Sequence, residues 1–392
     1  MKITLLLAVA LFGSSSLFAA EPPARKESNV SVRNEVLIAI NKGLAWLKQQ
    51  QKEDGSIANP ENGEPSAEHP ALTALPLIAF YREPTGKGAT EYADALKKGY
   101  TFLRSKVQPD GGIYTSGLSN YNTSVCLMAL LNTGDPKDEP MLARANNFIV
   151  GMQAENMAKP ELDGGIGYGT TGVSPKRAHP DLDNTIIALE ALRSYKAKHP
   201  SSETSAGKEL NWQAAIDFVS RCQNLPKYNK QPWASDDPAN KGGFIYYPGD
   251  SNAGEQDLPN GRKALRSYGT MTYAGLLSYI YADLKRDDPR IAAALEWLQK
   301  NYTLEENPGL GRAGLYYYYH LAAKGLATSD IHEFQTADGK KFDWAHDLAL
   351  KLINLQAGNG SWVNDTARWM EKDPVLVTAY SVITLEIVYN QL

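Results

Sequence analysis

Two kinds of apolar pattern alternate along this chain. In the first, Leu37, Ile40, Leu44 and Leu47 recur at helical spacing with Lys42, Lys48 and Gln49 between them. That is an amphipathic helix with one buried stripe and one wet face. In the second, as across Thr185, Ile186, Ile187, Ala188, Leu189, Ala191 and Leu192, apolar residues occupy nearly every side. A helix without a clear polar face is enclosed on most sides. The first pattern predicts helices near 33–51, 91–107, 139–154, 211–224, 288–301 and 342–357. The second predicts helices near 70–82, 121–133, 182–197, 268–284, 313–326 and 375–390. Wet helices outside and enclosed helices inside imply two concentric rings. The expected fold is all-α, a single α/α6 toroid of six helical hairpins over 33–392, with almost no strand.

The hairpins repeat in sequence as well. Lys42-Gly43, Trp46-Leu47, Gln51, Gly55 and Ile57 set the order, and Arg144-Ala145, Phe148-Ile149 and Gln153 follow it. Phe218-Val219, Gln223 and Gly243 follow it too, as do Leu352, Gln356, Gly360 and Trp362. Looser copies are Phe102-Leu103, Gln108, Gly112, Tyr114, and Trp297-Leu298 with Tyr302 in the Gln place. Repeats of this length are stacked units, none of which buries its apolar face alone. The Gln amide is expected to tie the first helix to the following loop, and the Gly to turn that loop tightly. The bulky residue after it fills the gap between helices. Thr73, Thr123, Thr185, Thr270 and Thr378 stand where a hydroxyl can cap the free N–H groups of an inner helix. Residues shared by all copies are structural, so function is sought where the copies differ.

The first twenty residues read as a secretory signal: Lys2, an apolar stretch from Ile3 to Phe12, and Ala19-Ala20 before Glu21. The stretch is too short to span a bilayer, and no other segment approaches that length. Residues 21–32 are expected to be a disordered leader. The chain is therefore expected to be exported, periplasmic or extracellular, and not transmembrane. A net charge of −4 gives no reason to expect nucleic acid. Cys126 and Cys222 lie on different predicted helices, so no disulfide is expected. The longest insertion, Asn224 to Arg266, is expected to form a rim or lid.

The repeat from Lys42 to Ile57 resembles the QW repeat of squalene and oxidosqualene cyclases, and that of protein prenyltransferase beta subunits. More narrowly, Leu265–Gly275, Asn307–Gly309 with Leu315–His320, and Arg368-Trp369 with Leu376–Tyr380 resemble exported bacterial proteins that bear such repeats. The resemblance implies the toroid with a cavity lined by its inner helices, and leaves the activity open.

Asp181-Leu182-Asp183-Asn184-Thr185 is similar to the Asp-x-Asp-Asp-Thr-Ala motif of squalene-hopene cyclases, departing from it at Asn184. The resemblance implies that Asp183 protonates an alkene with Asp181 as its neighbour. Such an acid needs an apolar, charge-coupled site, and the cations formed need aromatic faces. The alternative reading is that Asp183 caps its helix. Tyr316 and His320 share a helical face and suit acid–base work or a buried hydrogen bond. His69, Tyr121, Asp181, Asp183, Arg266, Tyr268, His320 and Tyr380 are expected to converge on one mouth. Arg266, Arg368 and Trp369 flank inner-helix starts, where arginine suits a carboxylate or phosphate, or pairs with an acid at the seam.

No Asp-x-Cys occurs on the fourth inner helix, so zinc is not expected, nor any other metal or cofactor. Ala253 stands where a thioester Cys would be, and Gly165 to Gly169 follows no strand. Three functions remain open: a terpenoid cyclase or prenyltransferase-like protein with a small apolar, isoprenoid ligand; a carbohydrate-active toroid using Trp233, Asp236, Asp237 and Tyr247 on a glycan; or a non-catalytic binding scaffold.

Overall fold

The computed structural model describes residues 29–58, 69–169, 174, 177–200, 209–259, 261–335 and 339–392. The expected signal peptide and the expected leader up to residue 28 lie outside them. Thirteen α-helices follow one another among the described residues. They are α1 (Val30–Gln49), α2 (Pro70–Arg82), α3 (Gly88–Glu91), α4 (Ala93–Arg104), α5 (Ser119–Leu130), α6 (Glu139–Gly151) and α7 (Leu182–Lys198). After them come α8 (Trp212–Arg221), α9 (Gly269–Tyr281), α10 (Pro289–Lys300), α11 (Leu315–Thr328), α12 (Trp344–Leu355) and α13 (Pro374–Gln391). The fold is all-α. Strand is confined to three two-stranded antiparallel ribbons in loops: β1 (Ile166–Gly167) with β2 (Pro180–Asp181), β3 (Glu255–Asp257) with β4 (Lys263–Leu265), and β5 (Glu333–Gln335) with β6 (Lys341–Asp343). One boundary is corrected: Val30, Ser31 and Val32 belong to α1, not to the leader.

The enclosed helices pack in chain order, α2 on α5, α5 on α7, α7 on α9, α9 on α11 and α11 on α13, and α13 returns to α2. The wet helices lie against this set: α4 on α2, α6 on α5 and α7, α8 and α10 on α9, and α12 and α1 on α13. The apolar pattern explains the division. In α9 every residue from Gly269 to Tyr279 is buried, whereas α8 buries only one stripe, with Ala215, Ile216, Phe218 and Val219.

The repeated residues act as joints. Gln51 Nε2 donates to Gly55 O at 3.1 Å and to Ala95 O at 2.9 Å, so one amide ties α1 to its loop and to α4. Gln153 does the same for Gly164 O and Asn211 O, Gln223 for Gly242 O and Arg290 O, and Gln356 for Gly360 O and Ala39 O. The last bond joins the sixth unit to the first. The loop glycine must be glycine: Gly164 has φ +88, and a Cβ there would stand 2.0 Å from Ala214 O of α8.

The threonines differ from expectation. They do not cap their own helices. Thr73, Thr123, Thr185 and Thr378 each accept the N–H of the bulky loop residue, Ile57, Ile113, Ile166 and Trp362 respectively, at 2.9–3.0 Å. In the fourth inner helix Thr272, not Thr270, takes this part toward Phe244 N. The loop residue would otherwise bury an unpaired N–H.

Replacing Gln223 by Ala removes its bonds to Gly242 O and Arg290 O and one of the two partners of the Tyr279 hydroxyl, which keeps Ser220 Oγ. The expected cost is ~2 kcal/mol in urea unfolding. Gln108 bonds only within its own loop, to Lys106 O and Tyr114 O, and Gln108→Ala should cost less.

Candidate active site

A cavity of about 210 Å³ opens at the N-terminal ends of the enclosed helices. Its floor is two bonds that skip a helix. Tyr317 OH of α11 donates to Asp183 Oδ1 of α7 at 2.7 Å, over α9. The Tyr121 and Tyr380 hydroxyls of α5 and α13 meet at 2.8 Å, over α2. The Tyr317 and Tyr380 rings lie 5.4 Å apart, which joins the two bonds into one aromatic layer. Two helical turns below, Lys324 Nζ pairs with Glu190 at 2.9 Å and again joins α11 to α7. The walls add Leu72, Met271 and Leu376 among the apolar residues and Tyr168, Tyr246 and Tyr268 among the aromatic ones.

The Asp motif divides its labour otherwise than the capping reading held. Asp181 is the cap: its Oδ1 accepts Asn184 N at 2.8 Å. It is fully buried and does not face the cavity. Asp183 does not cap, and its carboxyl faces the cavity. Asn184 also turns its amide on Asp181, donating to both carboxylate oxygens at 3.1 and 2.9 Å. Burial pushes the Asp183 carboxyl up, and the Tyr317 hydroxyl pulls it partly back. Burial, then the charge of Asp183, raises Asp181 to about 8 against the pull of the Asn184 bonds. The two titrate as a pair that retains a proton at neutral pH.

Of the residues expected at one mouth, His69, Tyr121, Asp183, Tyr268 and Tyr380 line the cavity together. Three do not. His320 lies beneath the floor, stacked on Tyr380 and 3.5 Å from the Thr384 hydroxyl. Burial, then the charge of Lys324, keeps its imidazole neutral. Arg266 is exposed outside the cavity, its backbone spent on Gly254 and Ser251. Tyr316 is buried against Tyr319, because the helix phase of α11 turns Tyr317 inward instead. The proposed Tyr316–His320 acid–base face therefore does not meet the cavity.

Trp369 lines the cavity, whereas Arg368 does not and instead bonds Asn252 of its wall. Among the described residues Arg368 makes no acidic pair at the seam. Its Nη2 donates to Asn252 Oδ1 at 2.8 Å and its guanidinium lies 4.2 Å from the Trp369 ring. Trp369 (φ 54) and Met370 (φ 63) are both left-handed, a conformation that costs ~1–2 kcal/mol each. This turn lays Trp369 over Gly314, where a Cβ would come within 3.0 Å of the ring.

Glu371, also in the cavity wall, crosses to α11 and caps it. Its Oε1 accepts Tyr317 N at 2.9 Å and its Oε2 accepts Asn364 Nδ2 at 2.6 Å. Burial raises it to about 7 against these bonds. The folded pKa exceeds the unfolded value, so between pH 4.5 and 7 the native state holds a proton that the unfolded chain has released. Stability contributed by this group is present at low pH and is lost as pH rises through about 7. Glu371→Gln should flatten that fall, read as melting temperature against pH.

Several lining residues were missed in sequence. Tyr168 sits in the Gly165–Gly169 run, Tyr246 and Asn252 in the long insertion, and Arg177 before β2. The insertion therefore does build part of the rim. Trp233, Asp236 and Asp237 are not in the cavity wall. Asp237 is spent on Ser235 and Asn240. Cys126 and Cys222 are free and buried. Among the described residues no helix is long and apolar enough to cross a membrane, and no group of three His, Cys, Asp or Glu side chains could hold a metal ion.

No family model matches the chain, and no curated protein does. Solved structures do. A variant of the type II terpene cyclase MstE from Scytonema, in complex with its product merosterolic acid A, matches with a TM-score of 0.55 at 13% identity, over 92% of this chain and 99% of that one. A second variant, in complex with the substrate geranylgeranyl dihydroxybenzoate, matches with a TM-score of 0.55 at 14% identity, over 92% and 99%. The ligand-free enzyme matches with a TM-score of 0.53 at 13% identity, over 92% and 100%. At these identities the likeness speaks for architecture, and it gives the chain a terpenoid cyclase-like fold.

Proposed function

We propose that this protein is an exported α/α6 toroid that binds an isoprenoid in its central cavity and cyclises it by protonation from Asp183. The observation that carries the reading is the Asp183 carboxyl, raised by burial, facing an aromatic cavity and bonded only to the Tyr317 hydroxyl among the described residues. The closed packing of α2, α5, α7, α9, α11 and α13 supports the toroid. The terpene cyclase neighbours bound to isoprenoid substrate and product support the ligand class.

The chemistry follows from the residues. Asp183 is the member of the pair that faces the cavity, so the reactive form carries the shared proton there, while the three N–H bonds from Asn184 steady Asp181 as the anion. Asp183 transfers that proton to an alkene carbon. The π pair forms the new C–H bond, and the O–H pair stays on the carboxylate. Tyr317 then donates to that carboxylate and steadies it. The carbocation is attacked by the next alkene, closing a ring, under the faces of Tyr121, Tyr268 and Tyr380. Loss of a proton from the final cation balances the one delivered, so the product is an isomer of the substrate. No carboxylate pair of the long insertion opens on the cavity, so nothing specific favours the glycan alternative.

The test is product formation: wild-type protein incubated with linear isoprenoids should yield cyclised isomers by mass spectrometry. Absence of any across acids, alcohols and diphosphates would sink the reading. Export is tested separately, by N-terminal sequencing of the mature chain, expected to begin at Glu21.

A further inference from the structure

We propose that Glu371 is the base that ends the reaction, taking the last proton from the cation that Asp183 starts, so that acid and base stand at the two ends of one tyrosine. This rests on the isoprenoid reading above and adds to it the residue that receives the proton.

Tyr317 is the shared residue. Its hydroxyl donates to Asp183 Oδ1 at 2.7 Å, and its backbone N–H donates to Glu371 Oε1 at 2.9 Å. Both carboxyls line the cavity. The aromatic floor lies within reach of the two. The Tyr380 ring is 5.4 Å from that of Tyr317, and its hydroxyl is pushed up by burial, then by Tyr121, then by the charges of Asp183 and Glu371. A cation formed beside Asp183 and steadied over these rings therefore lies in the field of a second carboxyl.

The setting of Glu371 suits a proton acceptor. Gly314 gives α11 no capping side chain of its own. A cap needs no charge, and serine or asparagine serves as well. Here a carboxylate, 1% exposed, is carried in from the turn before α13. Two successive left-handed residues, Trp369 and Met370, bring it there, and strain of this kind collects at functional sites. The positive end of α11 and the Asn364 amide favour its anion, while burial raises its pKa to about 7. A carboxylate poised there is ionised enough to accept a proton and basic enough to hold it. Asp183, by contrast, draws on the proton shared with Asp181. Two carboxyls of one cavity in such different surroundings divide into an acid and a base.

The step balances. The C–H bond beside the final cationic carbon breaks, its electron pair becomes the new π bond, and the proton goes to a carboxylate oxygen of Glu371. Water at the mouth then takes that proton from Glu371 and reloads Asp183, so the product remains an isomer of the substrate.

The test uses the full chain with a linear isoprenoid and separates alkenes from alcohols by gas chromatography and mass spectrometry. Wild type should give mainly one cyclic alkene. In Glu371→Gln the amide still accepts the Tyr317 N–H, so the fold should hold, and substrate should still be consumed because Asp183 still starts the reaction. The ratio of that alkene to other alkene isomers and water-quenched alcohols should fall about a hundredfold, the lower end of what a placed general base contributes. In deuterium oxide, wild-type product should carry one deuterium at every turnover, because the proton lost by the substrate goes to Glu371 and not back to Asp183. An unchanged ratio in Glu371→Gln would leave His69 or Asp183 itself as the acceptor and overturns the assignment. So does product lacking deuterium, an alcohol as the main wild-type product, or a folded Glu371→Gln that consumes no substrate. Each of these leaves the cyclase reading standing. No cyclised product from wild type overturns both.

Discussion

Asp183→Asn is expected to lower cyclised product by a factor on the order of 10³ or more while leaving the melting temperature of the protein nearly unchanged. General acids contribute on that scale when they deliver the proton in the transition state, and here no other cavity carboxyl is placed to replace this one. Glu371 is bound to the start of α11, and Asp181 does not face the cavity. The stability half of the prediction follows from the cap. Asp181, not Asp183, bonds the N-terminal turn of α7. Asparagine keeps the shape of the side chain and still accepts from Tyr317. Its neutrality also removes the charge that raises Asp181. The contrast is Asp181→Ala, which loses the cap at a cost of ~1–2 kcal/mol. Tyr317→Phe leaves the acid but removes its one hydroxyl donor, and should slow turnover by roughly ten- to a hundredfold. Product from Asp183→Asn at the wild-type rate would remove this residue from the chemistry.

Deleting the chain from Asp343 onward should abolish cooperative unfolding altogether. The deletion takes α12 and α13. With α13 goes the contact that returns the inner set to α2, together with the packing against α11 and α1. With α12 goes Gln356, whose amide bonds Ala39 of α1. Trp362, fully buried, leaves the space beside Gly43. The apolar faces of α2 and α11 would then stand in water, and each repeat depends on its neighbours for burial. Glu371 and Tyr380 leave the cavity wall at the same time. Circular dichroism should show a broad, gradual loss of helix signal on heating. A truncated chain with a sharp transition near the full-length temperature would mean that closure contributes little.

The periodicity of apolar residues determined the helices of this protein, nearly to their ends, because each helix shows its environment in its own local pattern. An amphipathic stripe such as that of α1 belongs to a helix with one wet side, and the all-round apolarity of α9 or α13 to an enclosed one. The repeated Gln and Gly were legible for the same reason, since each copy solves the same joint. Which side of an enclosed helix faces the cavity was not legible. When every side is apolar, the pattern carries no phase, and the run of tyrosines in α11 could be turned toward Tyr316 or Tyr317 with equal local sense. Packing against α9 and α13 chose Tyr317. The cap of α7 was ambiguous in the same way, because Asp181 and Asp183 both suit a helix start. Only the backbone of β2, which holds Asp181 extended ahead of α7, decided it. The rim was least legible. Tyr168, Arg177, Asn252 and Trp369 come from separate loops, and nothing local to any of them says that they meet. The closing of the enclosed helices on one another brings those loops to one opening, and that is a property of the tertiary structure alone.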